Sequence, residues 1–334
     1  MNTRNVPSVA LVGLGEIGLG AHLPALLRHP GLRLAAVVDP DPARRALAAE
    51  HTAAPAFETL ADVLADPVID AVVLATPPWV TPGLVGRVAA TGRFVLAEKP
   101  IAVSSSAAAP LAKLPAGQRK RVQVGLTYRH DPALAVLREW IDGGRLGDGI
   151  LVRAHIYDER RDPALPEHAR RIEATLAHGM PVVHEGAHVF DWFATLFGGP
   201  PERLEDSWAV STRPDLPAAN LCGARLTYPG GVTVLAEFGW LTDAQPRCEI
   251  SFIGDRGHAE LDGFTFDLRL TTAAGVERVA FDDDRTTRCF DLQLDRFTEL
   301  VTGARAVPSP GLADGLAALE ISERVAVLAA WSLA

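Results

Sequence analysis

Near the start of the chain, Gly13-Leu14-Gly15-Glu16-Ile17-Gly18 spells G-x-G-x-x-G directly after an apolar run and ahead of a helix-forming stretch. The chemistry this spacing supports is anion binding by backbone. The first glycine makes a tight turn, the second lets a diphosphate approach the main chain, and the third lets helix and strand pack closely. Amides exposed at the turn, those of Glu16 and Ile17 included, act with the positive end of the helix dipole to hold the negative charge. Asp39 follows 21 residues after Gly18, where a carboxylate accepts the ribose hydroxyl hydrogens of an adenosine and repels a 2′-phosphate. The cofactor expected is NAD. NADP is the alternative, because Arg44 and Arg45 stand close enough in sequence to meet a 2′-phosphate.

Ala75-Thr76-Pro77-Pro78 and Glu98-Lys99-Pro100 each follow a predicted strand, on the carboxyl edge where open α/β sheets bind their ligands. The first reads either as a ligand-side loop or as a rigid connection only. Lys99 also has two readings. It is an ordinary surface lysine, or it is desolvated beside the nicotinamide, with a lowered pKa that lets it exchange a proton with a substrate hydroxyl. His184-Glu185-Gly186-Ala187-His188 is literally H-E-x-x-H, which on a helix sets both histidines on one face. Three readings stay open for it: satisfied helix residues, a zinc pair, or proton transfer beside the nicotinamide. Against zinc, Gly186 weakens the helix that must hold the ligands. Glu202 and Glu205 lie beyond the Gly198-Gly199-Pro200-Pro201 break, so no metal is expected.

The elements that must position these residues alternate over the first third of the chain. Strands are predicted over 8–12, 33–38, 70–75, 94–97 and 121–125, with helices from Gly18 to about 29 and over 43–51, 62–65, 80–91 and 104–114. Strands joined by helices need crossover connections, so the sheet is expected to be parallel with helices on both faces. After a helix at 132–142 and a strand at 150–156, short runs between turn signals (208–212, 222–227, 232–238, 248–253, 258–261) suit an antiparallel sheet. Two amphipathic helices, 291–302 and 312–333, close the chain. The expected fold is therefore an α/β N-terminal domain, residues 1–127, with a parallel sheet. An α+β domain with a mostly antiparallel sheet follows over 128–334, its last helix able to pack back on the first.

The 334 residues suffice for two domains. With 32 Lys and Arg against 41 Asp and Glu, the net charge of −9 excludes nucleic acid as the main partner. No apolar run reaches membrane-spanning length. Arg4 ahead of an apolar stretch has the outline of a secretory signal, but the glycine spacing explains that stretch better. Cys222, Cys248 and Cys289 are too few and scattered for a disulfide framework, which reads as a reducing, cytoplasmic setting.

Taken together the motifs resemble the glucose-fructose oxidoreductase, inositol dehydrogenase and rhizopine-catabolism (Gfo/Idh/MocA) oxidoreductases. The resemblance covers nearly the whole chain. It rests on the glycine motif, Asp39, Thr76-Pro77-Pro78, Glu98-Lys99-Pro100, the Gly143 to Gly149 segment, Gly186-Ala187-His188-Val189-Phe190-Asp191 and the Gly254 to Gly257 turn. It implies a dehydrogenase that moves hydride between NAD(P) and a secondary alcohol of a sugar or cyclitol. It also implies that Lys99 is catalytic and followed by a cis bond to Pro100, that His188 is the acid/base, and that the open sheet forms a homodimer or homotetramer contact. There are two departures: His184 stands where the family carries aspartate, and Thr81 where many members carry histidine. His184 would then bind a neighbouring hydroxyl or relay the proton, with Tyr128, Arg129, Arg160 and Arg161 as candidate polar walls of the substrate pocket. Two other classes stay open: a non-catalytic dinucleotide sensor of the same fold, and a zinc hydrolase built on the H-E-x-x-H.

Overall fold

The structure is a computed structural model that describes residues 6–331. Arg4 and the last two residues of the helix expected over 312–333 lie outside the described residues. The chain forms two compact units, Met1–His130 with Thr286–Leu316, and Asp131–Arg285 with Ala317–Ala334.

The first unit carries six parallel strands, β1 (Ser8–Val12), β2 (Arg33–Val38), β3 (Ala56–Phe57), β4 (Ala71–Leu74), β5 (Phe94–Glu98) and β6 (Val122–Gly125), in the order β3-β2-β1-β4-β5-β6. β1 and β4 are buried at every position, as strands covered on both faces must be, which is why Val9–Val12 and Ala71–Leu74 read as unbroken apolar runs. Short helices lie between the strands: α1 (Leu23–Arg28), α2 (Pro42–Ala49), α3 (Leu60–Leu64), α4 (Thr81–Ala90), α5 (Ser105–Ala112) and α6 (Ala116–Arg119). Local chemistry fixes their starts. Asp41 caps α2 by accepting the Ala43 N–H at 2.8 Å with Pro42 at the first helical position, and Thr59 and Asp62 form a capping box on α3.

The order reverses direction at β1/β4. The carboxyl ends of these two strands are where a doubly wound sheet opens a ligand crevice.

α10 (Arg285–Val301) completes this unit. Phe290, Leu294, Phe297 and Leu300 join the same buried cluster as Val9, Leu11, Val37 and Leu96. Gln293 adds polar ties, its carbonyl accepting from Gln123 Nε2 at 3.2 Å and its Oε1 from the Thr127 hydroxyl at 2.8 Å.

The second unit begins with α7 (Pro132–Asp142) and β7 (Leu151–Glu159), followed by α8 (Pro166–Leu176) and α9 (Pro181–Phe197). Seven further strands follow: β8 (Arg203–Val210), β9 (Leu221–Tyr228), β10 (Val232–Trp240), β11 (Glu249–Ile253), β12 (Gly257–Asp262), β13 (Leu268–Thr272) and β14 (Gly275–Val279). The eight strands form one sheet in the order β14-β13-β12-β11-β7-β10-β9-β8. Every pairing is antiparallel except the central β7–β10 pair. α9 packs on this sheet through edge-on ring contacts, Phe190 with Phe238 (6.0 Å between centroids) and Phe193 with Tyr228 (5.8 Å). Each fully buried phenylalanine contributes about 1.5–3 kcal/mol relative to exposure.

α11 (Leu312–Trp331) is the last helix among the described residues. No helix among the described residues is long and apolar enough to cross a membrane. The three cysteines are buried free thiols.

Candidate active site

The three motif glycines are glycines for three different reasons. Gly13 has φ +92°, and a Cβ there would run into the Ala75 carbonyl at the end of β4. A Cβ on Gly18 would run into the carbonyl of Gly13. Around Gly15 nothing lies within 4 Å of where a Cβ would stand. Its missing side chain relieves no packing and leaves a bare stretch of backbone, as an approaching diphosphate requires.

The following helix starts with α-helical Glu16 and Ile17, the Leu19 N–H bonding to the Gly15 carbonyl at 2.8 Å, and then widens. Gly18–His22 form a π-turn before α1, a local insertion often found at functional positions.

Asp39, at the end of β2, is buried and bonded to the turn. Its Oδ2 accepts the Leu14 N–H at 2.8 Å and its Oδ1 accepts the Asp41 N–H at 2.9 Å. An ionised carboxylate has about four acceptor positions, so sites remain for two ribose hydroxyls. The two arginines behind it differ. Arg45 donates to the carbonyls of Asp39 (2.6 Å) and Pro40 (3.0 Å), closing the β2–α2 connection. Arg44 is half exposed, with Nη1 3.7 Å from Asp39 Oδ2.

The Thr76-Pro77-Pro78 loop is fixed from inside. The fully buried Thr81 hydroxyl lies 2.8 Å from Thr76 Oγ1 and 3.0 Å from both the Thr76 and Pro77 carbonyls. Thr81 is therefore spent on holding the loop at the β4 edge. One strand further, Glu98 ends β5 and Lys99 follows, half-buried, with a cis bond to Pro100. Both Glu98 oxygens are engaged: Oε1 stands 2.8 Å from His22 Nε2, and Oε2 accepts the Lys99 N–H at 3.1 Å.

Tyr128 and Arg129 sit in a 3₁₀ turn, Thr127–His130, and Arg129 is tied to Asp314 at 3.0 Å. Next to it His130 is held down to about 4 by burial and by the charges of Arg129, Arg296 and Arg305.

In the second unit the H-E-x-x-H lies wholly within α9, with His184 and His188 both buried one turn apart. His184 stacks on Trp240 (5.5 Å, 22°), whose Nε1 donates to Asp158 at 2.9 Å, and His188 stacks on Trp192 (6.5 Å, 28°). Gly186 between them has a packing reason: a Cβ would stand 2.7 Å from Ser322 Oγ of α11 and 2.8 Å from Phe190 Cε2. Among the described residues no three His, Cys, Asp or Glu side chains gather to hold a metal ion. Near the same end of the sheet Glu159 pairs with His168 (2.8 Å). Arg160 pairs with its neighbour Asp162 (3.3 Å) and Arg161 with Asp243 (3.2 Å), all on exposed connections.

Sequence reasoning missed His22, Asp158 and Trp240. A histidine shortly after a glycine motif and a tryptophan closing a strand were the available signals, but their partners lie far along the chain.

A turn with bare backbone, a carboxylate bonded to it and a lysine on the same sheet edge define a dinucleotide-binding oxidoreductase domain. Residues 8–126 match the family profile described as the oxidoreductase family with NAD-binding Rossmann fold, and 134–260 match the GFO/IDH/MocA C-terminal domain. The chain belongs to the GFO/IDH/MocA oxidoreductase family, and is an NAD(P)-dependent enzyme acting on CH–OH groups. It is 30% identical to inositol 2-dehydrogenase 1 of Saccharopolyspora erythraea over 94% of this chain and 91% of that one. It is 28% identical to inositol 2-dehydrogenase of Leifsonia xyli over the same shares, 94% and 91%. Its fold matches the crystal structure of myo-inositol 2-dehydrogenase from Lactobacillus plantarum with a TM-score of 0.82 at 19% identity, covering 98% of each chain.

Proposed function

We propose that this chain catalyses reversible oxidation of a secondary alcohol on a cyclitol or sugar ring, with NAD as the preferred partner. The observation that carries the reading is Lys99, held at the carboxyl end of β5 on the same sheet edge as the glycine turn and Asp39. Whole-length similarity to inositol 2-dehydrogenases supports the substrate class. The bound nicotinamide supplies a hydride acceptor at C4.

His188 takes the hydroxyl proton as the carbonyl forms. Lys99 hydrogen-bonds the same oxygen and steadies the developing alkoxide. His184, an imidazole where relatives are expected to carry a carboxylate, binds a neighbouring hydroxyl and is oriented by its stack on Trp240. Asp39 favours NAD by its charge, with Arg44 the residue placed to admit a 2′-phosphate. Tyr128 belongs to the same substrate wall. Arg129 and Arg160, paired with Asp314 and Asp162, belong to the polar residues proposed for that wall. The enzyme works in a reducing cytoplasm as a homo-oligomer joined through the open face of the eight-stranded sheet.

The test is a screen of cyclitols, sugars and sugar acids with NAD and NADP in parallel, following absorbance of the reduced cofactor. Turnover of at least one cyclitol or sugar with NAD is the expected result. Tight NADH binding with no turnover of any member would instead favour a dinucleotide sensor.

A further inference from the structure

His22 is fully buried at the end of the π-turn that follows the glycine motif. Its side chain meets Glu98, with Nε2 2.8 Å from Oε1. The other Glu98 oxygen accepts the backbone N–H of Lys99 at 3.1 Å. Two further contacts confine the pair. Phe290 of α10 stands edge-on to the imidazole at 4.8 Å, and a Cβ on Gly125, the β6 partner of Glu98, would lie 2.9 Å from the carboxyl carbon.

This pair is not needed to fill space, because well-packed apolar residues of similar volume often stabilise a core as well as buried polar partners do. The imidazole also leaves Nδ1 buried with no hydrogen-bond partner, a cost that packing alone does not explain. Its distinguishing property is connection: backbone that receives the diphosphate, then His22, then Glu98, then the backbone of Lys99.

We propose that His22 is a positioning residue that sets the placement of Lys99 according to whether the glycine turn holds a dinucleotide. The inference rests on Lys99 being the residue that acts on the substrate oxygen. Occupation of the turn pulls on the first residues of the helix, His22 carries the displacement to the Glu98 carboxylate, and the carboxylate carries it to the lysine.

The sequence offers a direct readout, since Lys99, Lys113 and Lys120 are the only lysines. Reductive methylation with ¹³C-formaldehyde keeps their charge and gives three lysine methyl signals, that of Lys99 being assigned by its loss in Lys99→Arg. Saturating NADH is expected to shift the Lys99 signal in the natural sequence. The shift is expected to be abolished in His22→Phe and restored in His22→Gln, which keeps a donor toward Glu98. NADH affinity, read by fluorescence, is expected to change by no more than about threefold, or roughly 0.7 kcal/mol. Glu98→Gln breaks the same chain at its centre and serves if His22→Phe does not fold; it too is expected to abolish the shift. An unchanged Lys99 response in His22→Phe or Glu98→Gln, or no response in the natural sequence, overturns the proposal. The readout needs no turnover, so failure to oxidise any polyol would count against the proposed function and not against this coupling.

Discussion

The buried carboxylate of Asp39 accepts the backbone N–H of Leu14 at 2.8 Å, so the residue that ends β2 also fixes the glycine turn that follows β1. With the cofactor role proposed for Asp39, cofactor choice and turn geometry are linked in one side chain. Asp39→Ala removes the acceptor of both Leu14 and Asp41. The buried Leu14 N–H left unsatisfied costs about 1–3 kcal/mol. We expect KM for NAD to rise by roughly tenfold or more, at about 1.4 kcal/mol per decade, and the NAD over NADP preference in kcat/KM to shrink or reverse because Arg44 loses its neighbouring negative charge.

Gly13 and Gly15 separate folding from binding. Gly13→Ala meets the Ala75 carbonyl and an unfavourable φ of +92°, so a stability loss of about 1–3 kcal/mol is expected together with weakened NADH binding. Gly15→Ala meets no protein atom within 4 Å. Stability there should stay within about 0.5 kcal/mol while NADH affinity falls. Paired denaturant melts and NADH titrations check both halves, and a stability loss at Gly15 equal to that at Gly13 contradicts the assignment.

The local features of the first unit were legible because each is written in a few adjacent residues. β1 is apolar from Val9 to Val12 and lies between Pro7 and Gly13, β4 is apolar throughout, and Asp39 and Lys99 sit at predicted strand ends. What could not be read depends on distant partners. The apolar stripe of α10 announces burial without naming the sheet it joins, and that sheet is the N-terminal one. The β7–β10 pairing is parallel at the centre of an otherwise antiparallel sheet because the helices α8 and α9 come between β7 and the later strands. His22 and Glu98 are 76 residues apart, and no local spacing links them. The H-E-x-x-H shows the opposite limit. Its spacing is local and legible, yet Gly186, which counts against a rigid metal-binding helix, is explained by the approach of Ser322 from the other end of the chain.

His130 predicts a pH dependence of stability. Burial and three arginines hold it at about 4, while in the unfolded chain it titrates near the usual 6.5. Between these values the unfolded state binds the extra proton, so this residue makes stability fall as pH drops from about 6.5 toward 4; the penalty is relieved above 6.5. At pH 5 it amounts to about 2 kcal/mol. Denaturant midpoints at pH 7 and pH 5 should therefore differ less in His130→Gln than in the natural sequence. An identical pH dependence in the two proteins contradicts the burial of a neutral His130.

In the proposed mechanism His188 and Lys99 carry the chemistry, and their substitutions should leave cofactor binding alone. For His188→Asn a loss of about 10²–10⁴ in kcat is expected for removal of a general acid/base. Little change there, with a large loss in His184→Asn, would move the proton-transfer role to His184.

The most direct test of the central claim is the steady-state rate of NADH formation by Lys99→Ala on the best cyclitol or sugar substrate, measured beside its NADH dissociation constant. We expect kcat to fall by about 10²-fold or more with the dissociation constant nearly unchanged, because the proposal has Lys99 act on the substrate oxygen and the glycine turn and Asp39 hold the cofactor. Full turnover by Lys99→Ala, with normal NADH binding, would contradict it.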